Sequence, residues 1–187
     1  MLNGTVSIGS QSFEKLRINH SFYIDKTAFI KEWWENQDDV SLITRPRRFG
    51  KTLNLSMLEC FFSVNYAGRV DLFEGLDIWE DEAYRSLQGT YPLISLSFAN
   101  VKDTSYENAR QKICQLIADE YAKYRFLPEG SCLTEMEKKA FLRKDMYMGD
   151  VDAALALNQL SGYLYRYYGK KVIFLLDEYD TPCRKRL

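Results

Sequence analysis

Residues 41–57 read SLITRPRRFGKTLNLSM. An apolar stretch, 40–44, runs into a basic turn at 45–49, and Gly50-Lys51-Thr52 then opens a segment with helical spacing. Strand, tight loop, glycine, lysine, hydroxyl and helix is the order that phosphate binding requires. Backbone N–H groups at a helix N-terminus point at an anion, and the helix dipole favours negative charge there. On this reading Gly50 lets the backbone approach a phosphate, Lys51 reaches the β- and γ-oxygens, and the Thr52 hydroxyl is a ligand for Mg²⁺. Phe49 and Leu53 flank the contact. Arg45 stands where the usual loop has its first glycine, and Pro46 biases Arg45 towards an extended backbone, so this loop has to turn in its own way. Arg47 and Arg48 lie within the loop, where an arginine is either solvated or in contact with phosphate or a carboxylate. A bare GKT in a basic turn is the competing reading.

The whole chain bounds the answer. Its 187 residues suit one domain able to bury a core. With 25 basic and 26 acidic residues the net charge is -1, so no global field points to nucleic acid or an anionic membrane. The first residues lack the apolar core of a secretory signal, and no apolar run reaches membrane-spanning length. Cys60, Cys114, Cys132 and Cys183 are scattered, without a C-x-x-C pair, and His20 is the single histidine. That pattern predicts reduced thiols in a cytoplasmic protein and no zinc site.

Two further runs predict strands: PLISLSF at 92–98 and VIFLL at 172–176. The second is apolar on both faces, as in a parallel sheet covered by helices on each side. Helical patterns fill the gaps. Thr104 to Glu107 and Thr134 to Glu137 have capping-box spacing. Ala109, Ile113, Leu116, Ile117 and Tyr124 then form one apolar stripe. Asp150 is placed to cap a third helix, with Leu157, Leu160, Leu164 and Tyr168 on one face and Gly169 as its stop. Leu53, Met57, Leu58 and Phe61 give the helix after Lys51 its packing side. Strands alternating with helices predict an α/β fold with a parallel sheet.

VIFLLDEYD supplies acids at a strand end. Asp177 is placed to hold a Mg²⁺ shell, and Glu178 to orient or deprotonate an attacking water. Two acids at the surface end of a strand are the plainer alternative, weakened by the phosphate loop upstream.

Taken together, FYIDKT (22–27), ITRPRRFGKTLNLSML (43–58), LFEGLDI (72–78), YPLISLSF (91–98) and GKKVIFLLDEYDTP (169–182) resemble the AAA-ATPase-like domain family of bacterial proteins. The resemblance spans about Ser7 to Pro182. Many members carry a PD-(D/E)XK nuclease-like domain further along, and RPRRFGKT is the family's usual loop, so Arg45 belongs to the pattern. The resemblance implies a P-loop NTPase-type parallel sheet with flanking helices, ATP and Mg²⁺ as cofactors, Lys51 and Thr52 on phosphates and metal, and Asp177 and Glu178 as the Walker B acids. Tyr23, Asp25, Lys26 and Thr27 match its N-terminal signature, either near the adenine or, for Asp25, as the N-cap of a helix carrying Phe29, Ile30 and Trp33. It also implies that residues 1–187 are the first portion of a catalytic domain, truncated after the Walker B strand, without sensor or arginine finger. A longer protein, a completing chain, a homo-oligomer or a remnant are the corresponding expectations. The alternative function is a nucleotide-dependent interaction module that does not hydrolyse ATP. A nucleic-acid partner is a fold-level analogy that the charge does not support.

Overall fold

A computed structural model of the chain describes residues 9–44, 49–103 and 105–181. The chain divides into two compact units, 1–91 and 92–187.

The first unit is helical. It contains α1 (Phe13–Ile18), α2 (Ala28–Asn36), α3 (Lys51–Phe62), α4 (Asp77–Glu80) and α5 (Glu82–Arg85). Ser12 caps α1, its side chain accepting from Lys15 N at 3.2 Å. Helix α1 packs on α3, and Phe13 N donates to Ser56 Oγ at 3.0 Å. Helix α3 buries Met57, Leu58, Cys60, Phe61 and Phe62, while Leu53 is half-buried. The predicted packing side is therefore present but wider than one stripe, as suits a helix enclosed by neighbours. Aromatic rings dominate the core. Phe61 meets Phe73 edge-on at 5.2 Å, Phe13 lies 5.3 Å from Phe73, and Trp34 stacks on Phe62 at 5.3 Å. Edge-on and offset contacts of this kind suit the ring quadrupoles.

Asp25 corrects one expectation. The N-cap position of α2 is Thr27, not Asp25. Asp25 Oδ1 instead accepts from Thr27 N and Thr27 Oγ1, both at 2.8 Å, and Oδ2 accepts from Asp77 N at 2.8 Å. Thr27 Oγ1 in turn accepts from Ile78 N at 3.2 Å. The two side chains satisfy the opening N–H groups of α4, which has no side-chain cap of its own at Leu76. FYIDKT is thereby bonded to LFEGLDI.

The expected strand at 40–44 is overturned. These residues form no ladder among the described residues, and Val40 and Leu42 are 87% and 64% exposed. Apolar, β-branched content favours a strand only when a neighbouring strand takes up its backbone groups and a core covers one face. Among the described residues neither condition is met.

The second unit is α/β. Strands β1 (Leu93–Ser97) and β2 (Ile173–Asp177) pair in parallel, from Leu93 opposite Ile173 to Ser97 opposite Asp177. Between them in the chain come α6 (Tyr106–Ala122), α7 (Glu135–Leu142) and α8 (Asp150–Tyr168), the long crossover that parallel strands require. Ile94 and Leu96 of β1 join Cys114, Ile117, Tyr121, Leu160 and Leu164 in one core. Tyr121 and Tyr124 keep that core polar-satisfied by donating to Ala156 O at 2.7 Å and to Leu93 O at 2.6 Å. Cover on both faces of β2 was expected, but Phe174 and Leu176 are 41% and 44% exposed, while Leu175 between them is buried.

Helix ends follow the local signals closely. Thr134 and Glu137 form the full capping box, and Gly169 ends α8 with a left-handed φ of 66°. Asp150 is the first residue of α8, with Gly149 at the cap, one position from expectation. Ser105 holds the cap position of α6 without a side-chain bond, and Thr104 lies outside the described residues. Cys60, Cys114 and Cys132 are free thiols. Among the described residues no helix is long and apolar enough to cross a membrane, and no three or more His, Cys, Asp or Glu side chains gather as a metal-binding group.

Candidate functional site

The phosphate-loop residues belong to the first unit. Gly50 occupies the N-cap of α3 with φ 76°, a left-handed conformation that glycine adopts without strain. Asn54 N closes the first α turn onto Gly50 O at 2.9 Å. The N–H groups of Lys51, Thr52 and Leu53 therefore stand at the positive end of a twelve-residue helix. Lys51, Thr52 and Leu53 are half-buried, and Phe49 is exposed. Arg47 and Arg48 lie outside the described residues.

Three donors bear on whether an anion fits. Neither the Lys51 nor the Lys26 side chain has an ion-pair partner among the described residues. Asn54, buried in the same first turn, has an Nδ2 without an acceptor. A cationic helix N-terminus with a buried donor left over suits a polyphosphate. Asn54 carried no sequence signal beyond lying four residues after the glycine.

Lys26 belongs to the N-terminal signature, and its ammonium approaches the loop glycine: a Cβ on Gly50 would lie 3.7 Å from Lys26 Nζ. Its backbone is held, since Lys26 N donates to Tyr23 Oη at 3.3 Å and Phe29 N donates to Lys26 O at 3.0 Å. Tyr23 donates to Met57 Sδ at 3.2 Å, and burial pushes its phenol up to about 12, so it stays protonated.

The two acids belong to the second unit. Asp177 is buried at the C-terminal end of β2, and its Oδ1 accepts from Glu178 N at 3.0 Å. Glu178 has φ 49°, the left-handed region, where a non-glycine residue is strained. The turn after it holds that conformation: Thr181 N donates to Glu178 O at 2.9 Å and Thr181 Oγ1 to Glu178 Oε2 at 3.2 Å. Thr181 is buried and fixes the glutamate carboxylate, a part for which the string DEYDTP was the only trace. A threonine hydroxyl and a carboxylate, as Thr52 and Asp177 supply, are hard oxygen donors of the kind Mg²⁺ takes.

The family model described as "Predicted AAA-ATPase" matches residues 7–187. The chain is also similar to the "Uncharacterized protein in vnfD 5'region" of Azotobacter chroococcum mcd 1, with 30% identity over 184 residues. That match takes in 96% of this chain and spans 30% of the length of the relative. No solved structure matches the chain.

Proposed function

Because the chain belongs to the predicted AAA-ATPase family, we propose that it binds ATP with Mg²⁺ through the N-terminus of α3 and that the complete protein hydrolyses it. The observation that carries this reading is the left-handed Gly50 cap, which opens a half-buried Lys51 and Thr52 onto the first turn of α3. Lys51 places a point charge on the β- and γ-phosphates, and the first-turn N–H groups supply directed donors. Thr52 would offer its hydroxyl to Mg²⁺, which when bound neutralises charge on the phosphate oxygens, and Asp177 is the carboxylate that the Walker B resemblance assigns to the metal. Glu178 takes the proton of the attacking water, and the bond from Thr181 fixes the carboxylate for that transfer.

Retention of labelled ATP on the protein, with and without Mg²⁺, tests this reading. Wild type retains ATP, Mg²⁺ strengthens retention, and Thr52→Ala loses the strengthening. In the full-length protein Glu178→Gln keeps ATP bound and removes turnover. Failure of wild type to retain ATP, or equal turnover in Glu178→Gln, contradicts the reading.

A further inference from the structure

Among the described residues, nothing pairs with the ammonium of Lys26. The residues on either side are committed: Asp25 and Thr27 are bonded to each other and to Asp77 N and Ile78 N at the start of α4. The Lys26 backbone is held from Tyr23 and Phe29. The side chain alone is left over. It has no ion-pair partner among the described residues. It is nevertheless half-buried, and its Nζ comes within 3.7 Å of where a Gly50 Cβ would lie. Holding a long, rotamer-rich side chain against a backbone glycine costs entropy and desolvates charge, and no ion pair among the described residues offsets this.

A second cation at Gly50 has a clear chemical use. Gly50 is the residue at which a phosphate chain would approach the backbone most closely, and Lys51 comes next in the chain. Two ammonium groups at one helix N-terminus repel each other until an anion of several charges lies between them. We propose that Lys26 is a second phosphate-binding cation of the nucleotide site, delivered to Gly50 from the loop before α2 and held there by the bonds that Asp25 and Thr27 make to α4. The proposal rests on the nucleotide reading above and adds that affinity is set by the number of phosphates through Lys26.

The test is equilibrium binding of AMP, ADP and ATP, and competition by inorganic triphosphate, for wild type, Lys26→Met, Lys26→Arg and Lys51→Ala. Loss of one charge-assisted contact lowers affinity roughly ten- to a hundredfold. Lys26→Met is therefore expected to lose about that factor for ATP and triphosphate and far less for AMP. Lys26→Arg is expected to stay within a few-fold of wild type. Unfolding without nucleotide is expected to be the same for wild type and both Lys26 variants, because the side chain makes no bond among the described residues. If Lys51→Ala loses ATP while Lys26→Met binds it as wild type does, the Lys26 inference falls and the nucleotide reading stands. A uniform loss across AMP, ADP and ATP, or a Lys26→Met chain that unfolds well before wild type, assigns Lys26 to the fold and also overturns it. If wild type binds no nucleotide, both fall.

Discussion

Asp25 Oδ2 accepts the backbone N–H of Asp77 at 2.8 Å, joining the FYIDKT loop to the start of α4 across 52 residues of chain. The same carboxylate accepts from Thr27 N and Thr27 Oγ1. Asp25→Ala strands all three donors and is expected to destabilise the first unit by about 2–3 kcal/mol, on the scale of a lost cap with charged hydrogen bonds. Asp25→Asn keeps one acceptor oxygen but turns an NH2 towards the remaining donors, so it strands either Asp77 N or the Thr27 pair and costs about 1–2 kcal/mol, less than Asp25→Ala. Urea unfolding of both variants measures the difference. Equal losses, or none, would mean that the carboxylate does not hold α4.

Gly89 and Gly68 both have positive φ, 68° and 78°, yet their replacements are expected to differ. A Cβ on Gly89 would lie 2.4 Å from Ala67 Cα and 2.9 Å from Ala67 N, both backbone atoms. A Cβ on Gly68 meets nothing within 4 Å. Gly68→Ala therefore carries only left-handed strain, about 1–2 kcal/mol. Gly89→Ala adds overpacking and reaches about 3–5 kcal/mol. It also disturbs the bond from Gly89 N to Phe61 O, 2.8 Å, which ties the 89–91 segment to the end of α3. Thermal unfolding of the two variants side by side checks the order.

Glu137 links the second unit to pH. The Arg166 guanidinium at 2.7 Å, followed by the Thr134 backbone N–H at 2.8 Å, lowers its carboxyl from the ordinary 4.5 to about 2. A carboxyl lowered by folding contributes stability above its unfolded value, and that contribution is lost as pH falls through the folded one. The loss is expected between about pH 4.5 and about pH 2. Glu137→Gln should show a shallower fall in urea midpoint over that window and converge on wild type at its acid end. Salt should narrow the gap, because the pair is at the surface. Parallel curves for the two proteins would exclude Glu137 from the acid response.

The parts legible in the sequence are those fixed by near neighbours. PLISLSF and VIFLL became β1 and β2 within one residue, and the Thr134–Glu137 box and the Gly169 stop are where their spacing put them. Each of those signals is satisfied within a turn or two of its own chain. The run at 40–44 is also β-branched and largely apolar, but a strand exists only with a partner, and no local pattern reports whether one is present. Asp25 was misplaced for a related reason. Its residue type suits an N-cap, whereas the donors it accepts from include the backbone N–H of Asp77, far along the chain. At the candidate site, Gly50, Lys51 and Thr52 were legible because glycine, ammonium and hydroxyl at a helix start form a local motif. The approach of Lys26 to Gly50 and the bond from Thr181 to Glu178 depend on tertiary folding and a strained turn, and no spacing rule announces either.

The central claim is that the N-terminus of α3 binds the phosphates of ATP, and calorimetric titration of ATP with Mg²⁺ into wild type and Lys51→Ala tests it most directly. The account predicts a saturable heat for wild type that Lys51→Ala abolishes, with the variant's unfolding transition unchanged. Equal binding by the two proteins, or no binding by wild type, would contradict it.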